Sequence, residues 1–334
     1  KSRIIESVQS GDTDILIGTH SIIQDNVRFL NLGLIIVDEQ HKFGINQRAL
    51  LTLKNSENPS IPHELYLSAT PIPRSLSLVL YEGLDYTIIS ESPKNRKTIN
   101  TQMIDHDKRS ILHDNISKIL HDKEQVYWVC SCIDYTESSE SEYVQGIYED
   151  LSNRFATTSI GMLHGRVDSK ENIKTMKKFV SGEIQILVCT TMIEVGVDVA
   201  NATCIVIEDP NRFGLSQLHQ LRGRVGRSEK QSYCYLVCKN NLSDHALYRL
   251  KALELNSSGF KIAEEDLKLR GSGDYLGHKQ SGANHNFKLA TPDDALNNYD
   301  LVRESMNCVD KIDEESKNKL IKRWGKDSAE TIQL

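Results

Sequence analysis

Short apolar runs alternate with longer stretches of helical, amphipathic pattern along this chain. The runs are rich in Ile, Val, Leu and Tyr, and most are apolar on successive residues, as is typical of strands buried on both faces of a sheet. They predict strands at residues 14–19, 32–38, 64–70, 125–131, 158–164, 184–190, 202–209 and 232–238. Strand and helix in repeated succession indicate an α/β fold with parallel sheets and covering helices.

One predicted helix has both of its ends marked. Asp168 is a suitable N-cap, Glu171 completes a capping box, and Gly182 lies just beyond the expected end. We therefore predict a helix between Asp168 and Gly182.

Two changes of pattern predict domain boundaries. Residues 92–98 (Ser-Pro-Lys-Asn-Arg-Lys-Thr) have no periodicity and contain a proline, so we interpret them as an interdomain linker. The strand signal stops after about residue 239, and helices and loops follow. The expected domains are residues 1–92, 93–240 and 241–334.

Charge and composition exclude several classes of protein. The chain holds 40 Lys and Arg against 46 Asp and Glu, a formal charge of −6, so any grip on nucleic acid must come from local patches. Its longest apolar run is far shorter than the roughly 20 residues of a membrane span. Seven cysteines without a CxxC pair indicate buried thiols in a reducing, cytosolic compartment. Because the chain begins with Lys1 and has no signal-like segment, we expect a piece of a longer protein.

An acidic pair follows the second predicted strand, in the segment Asp38-Glu39-Gln40-His41. In a parallel sheet the ligand site lies at the carboxyl ends of the strands. One carboxylate there can hold Mg²⁺ and the next can position or deprotonate a water, the two roles that nucleotide hydrolysis requires. A solvated acidic loop is the alternative interpretation.

Hydroxyl side chains end the third predicted strand, in the segment Ser68-Ala69-Thr70. At a neighbouring carboxyl edge they can hydrogen-bond to Asp38 or Glu39. The alternative is an ST turn that caps a helix beginning with the following proline, which is common.

The most specific signal is the arginine-rich segment Gln220-Leu221-Arg222-Gly223-Arg224-Val225-Gly226-Arg227. Its glycines allow the backbone to approach a phosphate closely, and arginine offers planar, permanently charged donors for a γ-phosphate. Arg224 and Arg227 are three residues apart, so both point the same way if they share a helical turn. A basic loop without function is the alternative, and this spacing disfavours it.

Three further strand ends carry candidate ligand-binding residues. Thr190 and Thr191 lead into a glycine-centred loop with Gly196 and Asp198, which can touch a sugar or a phosphate. The segments His164-Gly165-Arg166 and Gly18-Thr19-His20 each place a histidine at a strand end. For these segments an ordinary turn or a structural histidine is the alternative.

Taken together and in this order, the segments resemble the motifs of two-lobed superfamily 2 helicases. Motif II (the DExH box), motif III, motif V and motif VI match residues 38–41, 68–70, 190–198 and 220–227. The closer resemblance is to the RecG branch of DNA branch-migration helicases, through residues 38–44, 68–74 and 163–166. The run from Arg270 and Gly271 to Gln280 and Gly282 is similar to the translocation motif that RecG shares with the transcription-repair coupling factor.

The sequence departs from the family pattern in two places. Ser272 stands where the family usually has proline. No GxxxxGK[ST] phosphate loop occurs in the chain, although in the family this loop precedes motif II. The family's N-terminal wedge domain, which holds branched DNA, is missing as well. The resemblance therefore implies the back half of lobe one, all of lobe two and a C-terminal tail.

The resemblance implies two RecA-like parallel-sheet lobes, the first truncated, followed by a small, mostly helical C-terminal region. ATP would bind between the lobes, with Mg²⁺ on Asp38 and Glu39 and with Glu39 acting on the water. Arg224 and Arg227 would reach the phosphates as arginine fingers. The other implied roles are nucleotide binding for Gly196, Asp198 and Gln220, relay for Gln40, His41, Ser68, Ala69 and Thr70, DNA binding for Gly18, Thr19, His20, His164, Arg166, Thr190 and Thr191, and coupling for Arg270, Gly271 and Gln280.

The implied activity is ATP-dependent translocation or unwinding on branched double-stranded DNA, in fork reversal, Holliday-junction branch migration, recombination and repair. The resemblance also implies a cytoplasmic, nucleoid-associated bacterial protein, monomeric at full length, with single-strand binding protein as a candidate partner. Because the phosphate loop supplies a lysine and backbone amides to the phosphates, we expect this chain alone to bind ATP poorly and hydrolyse almost none. With strand 32–38 short of its usual neighbours, we also expect exposed apolar surface and self-association.

Three alternatives stay open. A translocase module like that of the coupling factor is disfavoured by Gln40, where that protein usually has an acid. A DNA-binding or adaptor module that is independent of nucleotide predicts that the parent protein lacks a phosphate loop too. An RNA helicase of the DExH type shares motifs II, III and VI, but the run 270–282 argues against it.

Overall fold

The computed structural model describes residues 2–24, 26–40, 47, 50, 51, 54, 61–68, 85, 87–89, 91, 96–131, 137–165, 167–190, 198–270, 301 and 312–324. Contacts divide the chain into two compact units, Lys1–Ala69 and Thr70–Leu334. Each unit has its own sheet and its own core. The domain boundaries expected at residues 92 and 240 stay predictions.

The first unit is built around two short parallel strands. It contains α1 (Ser2–Gln9), a 3₁₀ helix (His20–Ile23), β1 (Leu34–Val37) and β2 (His63–Tyr66). One face of the strand pair packs into a small core through Ile35 and Val37. The opposite face leaves Leu34 and Ile36 of β1 54% and 58% exposed. The exposed apolar surface expected around this strand is therefore present.

The strand predicted at residues 14–19 is wrong. This segment is irregular, and its apolar side chains Ile15 and Ile17 are 77% and 90% exposed. A strand requires a neighbouring backbone to complete its hydrogen bonds. No strand in the described part of the first unit pairs with this segment, so its apolar composition alone does not produce a strand.

The second unit is a six-stranded parallel sheet in the order β3-β8-β7-β4-β6-β5. Its strands are β3 (Asn100–Asp105), β4 (Gln125–Val129), β5 (Ile160–Leu163), β6 (Ile186–Cys189), β7 (Ala202–Glu208) and β8 (Tyr233–Cys238). Each of these strands except β3 lies within a strand predicted from the sequence and is slightly shorter than that prediction. β3 is an edge strand of mostly polar residues, in which Thr101 and Ile104 are buried and Asn100, Gln102 and Asp105 are exposed. It therefore has no continuous apolar run to identify it.

Helices cover both faces of this sheet, as an α/β fold requires. They are α2 (Arg109–His121), α3 (Glu137–Arg154), α4 (Ser169–Val180), α5 (Leu215–Arg222), α6 (Asp244–Leu255) and α7 (Gly259–Arg270), and α8 (Glu314–Trp324) follows. β4 shows the division between the faces. Tyr127 and Val129 join the core beneath α4–α7, whereas Val126 and Trp128 join the core beneath α2 and α3.

Local features of this unit match their sequence signals. Helix α4 begins as predicted, with the Asp168 side chain accepting a hydrogen bond from the Lys170 backbone N–H. Gly182 lies just beyond its end with φ +83°. Five cysteines in the described residues are free and buried (Cys130, Cys189, Cys204, Cys234 and Cys238). In that same part of the chain, no helix is both long enough and apolar enough to span a membrane.

Candidate nucleotide and DNA sites

The acidic segment of the first unit begins where β1 ends. Asp38 follows Val37, is exposed, and accepts a 2.8 Å hydrogen bond through Oδ1 from the Glu39 backbone N–H. Glu39 is half-buried and has φ +53°. A positive φ is uncommon for residues other than glycine and occurs preferentially at functional sites. This turn therefore gives the two carboxylates different environments, one exposed and one half-buried.

Motifs II and III lie next to each other in this unit. The Gln40 backbone N–H donates to the Leu67 carbonyl at 3.0 Å, and the Leu67 N–H donates to the Val37 carbonyl at 2.8 Å. Since Leu67 precedes Ser68, Ser68 lies at the carboxyl edge near the acidic pair. His41, Ala69 and Thr70 lie outside the described residues.

Asp38 is suited to a magnesium ion that comes with a nucleotide. Within the described residues, no group of three or more His, Cys, Asp or Glu side chains is placed to hold a metal ion. Mg²⁺ at nucleotide sites commonly binds one or two carboxylates together with phosphate oxygens and waters. An exposed carboxylate at the end of a strand fits that mode, whereas a permanently bound metal would need a fuller set of protein ligands.

The arginine-rich segment of the second unit is not one continuous helix. Helix α5 ends at Arg222, Gly223 caps it, and Gly226 has φ +74°. Arg224 and Arg227 therefore do not share a helical turn, the condition under which both would point the same way, because a left-handed glycine separates them. The physical reason is that Gly226 tolerates a conformation that redirects the chain.

Arg227 is held by two contacts beyond this turn. Its Nε donates to the Gly223 carbonyl at 3.3 Å, and its Nη1 lies 3.5 Å from Asp198 Oδ1. Its side chain is still 31% exposed. The structure thus brings together two residues that were assigned to nucleotide binding from different motifs.

Tyr127 indicates that Arg224 belongs to the same neighbourhood. Burial raises the pKa of the Tyr127 phenol, and the Cys189 thiol adds to this effect, whereas the charges of Arg224 and Arg227 lower it. Charges perturb a pKa in this way over short distances. The charges of the two arginines and of Asp198 therefore lie within electrostatic range of the Tyr127 phenol. Gln220, on α5, is half-buried, and Gly196 lies outside the described residues.

Arg222 has a different role from the other two arginines. It is 4% exposed, and its Nη1 donates to the carbonyls of Leu253 and Asn256 at 2.7 and 2.8 Å. These carbonyls end α6, where a cation is favoured by the helix dipole. His219 Nδ1 lies 3.1 Å from Arg222 Nη2. Burial and the Arg222 charge lower the pKa of His219 to about 4, so the neutral imidazole accepts a hydrogen bond from Arg222.

An ion pair between distant segments holds the backbone that follows Arg227. Lys230 Nζ lies 3.1 Å from Glu124 Oε1, and Thr203 Oγ1 donates to Glu124 Oε2 at 2.5 Å. The segment after the arginines is thereby tied to β7 and to the turn before β4. Sequence reasoning missed the pairing of Glu124 with Lys230, because no local motif connects residues so far apart in the chain.

The DNA-binding candidates His164 and Thr190 lie together at the carboxyl edge of the sheet. Leu163 pairs with Cys189 across β5 and β6, and the Thr190 N–H donates to the Leu163 carbonyl at 3.4 Å. Both candidates are buried, so their side chains expose little surface. Asn172 of α4 donates to the His164 carbonyl at 3.0 Å. Arg166 and Thr191 lie outside the described residues.

The remaining candidates are more dispersed. Gly18, Thr19 and His20 are exposed in the first unit, at the start of the 3₁₀ helix. Arg270 ends α7, and Gly271 and Gln280 lie outside the described residues.

Motif V connects opposite ends of the second sheet. Thr190 follows the carboxyl end of β6, whereas Asp198 precedes the amino end of β7. Parallel strands point the same way, so the DNA candidates and the nucleotide candidates of this unit occupy different edges.

Comparison with known proteins identifies two family models, and both match residues of the second unit. Residues 107–229 match the helicase conserved C-terminal domain. Residues 256–324 match the model described as ATP-dependent DNA helicase RecG, domain 3, C-terminal.

Curated relatives match along nearly the whole chain. The ATP-dependent DNA helicase RecG of Escherichia coli K12 is 40% identical over 323 residues, which cover 96% of this chain and 46% of the relative. The Thermotoga maritima protein of the same name is 41% identical over 93% of this chain and 39% of the relative. The chain therefore spans less than half of the length of these relatives.

Comparison with solved structures also finds a RecG protein. A structure of RecG bound to a three-way DNA junction aligns with a TM-score of 0.64 and 40% identity, covering 82% of this chain and 35% of the other. The helicase Mss116p, solved with single-stranded RNA and AMP-PNP, aligns with a TM-score of 0.52 at 18% identity, over 76% of this chain and 54% of the other. At that identity the likeness concerns the fold alone.

Proposed function

Because the chain belongs to the RecG family of ATP-dependent DNA helicases, we propose that it supplies part of an ATP-driven motor that moves along branched double-stranded DNA. The observation that carries the proposal is the 3.5 Å ion pair between Arg227 and Asp198, because the resemblance to the helicase motifs assigns both residues to nucleotide binding.

On the nucleotide side, each charged residue has a specific task. Asp38 would hold Mg²⁺, which neutralises phosphate charge when it is bound, and Glu39 would orient and deprotonate the attacking water. Arg227, partly exposed and anchored by Gly223 and Asp198, would stabilise charge on the γ-phosphate. Arg227 can exchange Asp198 for a phosphate at a small cost in free energy, because an exposed ion pair is weak.

On the DNA side, polar contacts connect α5 to the translocation motif. Ser216 of α5 donates to Asp266 of α7 at 2.8 Å, and Arg222 binds the end of α6. Helix α7 ends at Arg270, where the translocation segment begins. A shift of the arginines on nucleotide hydrolysis would therefore move α7 with α5. We propose this as the route by which hydrolysis displaces the DNA-contacting segments.

Branched duplex DNA is the proposed substrate, since the aligned RecG structure is bound to a three-way DNA junction. Fork reversal and Holliday-junction branch migration, in recombination and repair, are the corresponding activities. We further propose a cytoplasmic, nucleoid-associated protein, monomeric at full length, with single-strand binding protein as a candidate partner.

The test compares ATP hydrolysis and fork unwinding by the full-length gene product and by its Glu39→Gln variant. We expect forked DNA to stimulate ATP hydrolysis by the unchanged protein. The DNA-stimulated rate of the variant should be lower by at least about 100-fold, as is typical when a general base is removed. Glu149→Gln, which changes an exposed carboxylate on α3, serves as the control and should keep full activity.

Three results would contradict the proposal or one of its parts. Full-length protein without any DNA-stimulated hydrolysis would favour the nucleotide-independent DNA-binding module. Stimulation by single-stranded RNA in preference to forked DNA would favour an RNA helicase. Turnover by the 334-residue chain alone that disappears with Glu39→Gln would overturn the expectation that this chain is nearly inactive by itself.

A further inference from the structure

Helix α4 carries a one-sided row of lysines that the candidate sites do not use. Lys170, Lys174 and Lys177 are all exposed, whereas Asn172 and Phe179 of the same helix are buried. At 100° per residue, the three lysines fall within an arc of roughly 60°. They form a straight row, hereafter the lysine row, on the side of α4 that faces away from the core.

The lysine row is a concentrated positive charge on a chain whose net charge is −6. Glu171 is the one acidic residue in α4, and Lys178 adds a further positive charge beside the row. None of these lysines is ion-paired within the described residues. Six of the other described lysines have carboxylate partners, namely Lys108, Lys230, Lys239, Lys268, Lys317 and Lys319.

Like charges one helical turn apart repel one another, so this arrangement costs stability. An anionic partner would remove that repulsion. Each lysine ammonium group acts as a point charge without a fixed geometry. A row of such groups can bind the phosphates of a DNA backbone, but it cannot recognise particular bases.

The position of α4 connects the lysine row to the candidate DNA edge. Asn172 donates to the carbonyls of His164 and Val167 at 3.0 and 3.1 Å, which fixes the first turns of α4 against the carboxyl end of β5. Lys170 lies in the first turn of the helix. From there to Lys177 the row extends about 10 Å along the helix axis. The row thus begins at the edge that holds His164 and Thr190. From there it runs along the outside of the sheet toward the amino edge, where Gln125 at the start of β4 donates to the Phe179 carbonyl near the end of α4.

We propose that the lysine row of α4 binds the phosphate backbone of duplex DNA, independently of its sequence, along the outer side of the second unit starting from the carboxyl edge of the sheet. This inference rests on the proposed function, which it deepens by naming a binding surface outside the helicase motifs. The row would keep the duplex bound to the second unit while the segments of the helicase motifs move.

The experiment measures binding of the full-length gene product to a fluorescent forked duplex, without nucleotide, over a series of salt concentrations. The test variant replaces Lys170, Lys174 and Lys177 with Gln. The matched control makes the same change at three other exposed lysines, Lys118 of α2, Lys251 of α6 and Lys261 of α7. Both variants lose the same net charge, and circular dichroism confirms that both are folded.

We expect the test variant to bind on the order of tenfold more weakly at low salt. Its salt dependence (log Kd against log salt) should be shallower by about 0.9 for each phosphate that the protein no longer neutralises. The control variant should match the unchanged protein. A second measurement needs no variant: forked DNA should slow the acetylation of the three row lysines and leave that of Lys118 unchanged.

Each other outcome is decisive. A test variant with unchanged affinity and salt dependence, or row lysines that DNA does not protect from acetylation, would overturn the inference while leaving the proposed function intact. An equal loss of DNA affinity in both variants would show that the effect comes from net charge and not from the position of the lysine row, and would also overturn the inference. An unchanged protein that fails to bind forked duplex would overturn both this inference and the proposed function.

Discussion

Arg222 and Arg227 lie close together in the sequence but in different environments. Arg222 is buried, and its guanidinium group binds the carbonyls that end α6. Arg227 is partly exposed and has one weak ion pair with Asp198. The first arginine therefore supports the fold, whereas the second is free to exchange its partner for a phosphate.

This difference predicts unequal effects of the same substitution. Arg222→Met should lower the free energy of unfolding by about 2–4 kcal/mol, because it leaves buried carbonyls without their charged donor. Arg227→Met should change it by less than about 1 kcal/mol, since exposed ion pairs contribute little. Urea denaturation followed by the fluorescence of buried Trp128 measures both. Equal stabilities for the two variants would show that the Arg222 contacts do not support the fold.

At the scale of elements, the turn after α5 determines where the arginines point. Gly226 has φ +74°, and a Cβ at this position would lie 2.8 Å from the Ile99 side chain. Gly182, after α4, has φ +83°, but a Cβ there would meet no atom within 4 Å. The two glycines therefore share a backbone conformation and differ in their surroundings.

Alanine at these two positions separates strain from steric conflict. Gly182→Ala should cost about 1–2 kcal/mol of unfolding free energy, the usual cost of a left-handed residue with a Cβ. Gly226→Ala should cost more, by about 1–3 kcal/mol, because Ile99 must also move. Denaturant unfolding of both variants provides the comparison. If Gly226→Ala were no more destabilising than Gly182→Ala, the packing of Ile99 against this turn would be too loose to position Arg227.

At the scale of the whole molecule, the two units differ in how completely they bury their sheets. Central strands β4, β6 and β7 of the second unit are buried along their whole length. In the first unit, one face of the β1–β2 pair leaves Leu34, Ile36 and Leu65 about half exposed. Exposed apolar patches of this kind promote association.

We therefore expect the 334-residue chain to bind a hydrophobic dye and to form species larger than a monomer in light scattering. Ile36→Thr, on the exposed face of β1, should reduce both signals while preserving the strand, because threonine also favours β structure. Ile35→Thr is the control. That residue is buried, so its substitution should destabilise the first unit and leave dye binding undiminished. A monodisperse monomer that binds no dye would contradict the expectation.

The sequence by itself determined the features that depend on local pattern. Continuous apolar runs identified the central strands, because a strand buried on both faces needs apolar residues at every position. Asp168 and Gly182 marked the ends of α4, because capping involves only neighbouring residues. The order and spacing of the motifs identified the helicase family, since each motif is a continuous segment.

Only the tertiary structure decided the features that depend on distant partners. It showed β3 at the edge of the sheet, where exposed polar residues interrupt any apolar run, and it showed no strand at residues 14–19, where described neighbours offer no pairing. It assigned Arg222 to the fold and paired Arg227 with Asp198. Burial and ion pairing are properties of groups brought together from far along the chain, so no local pattern records them.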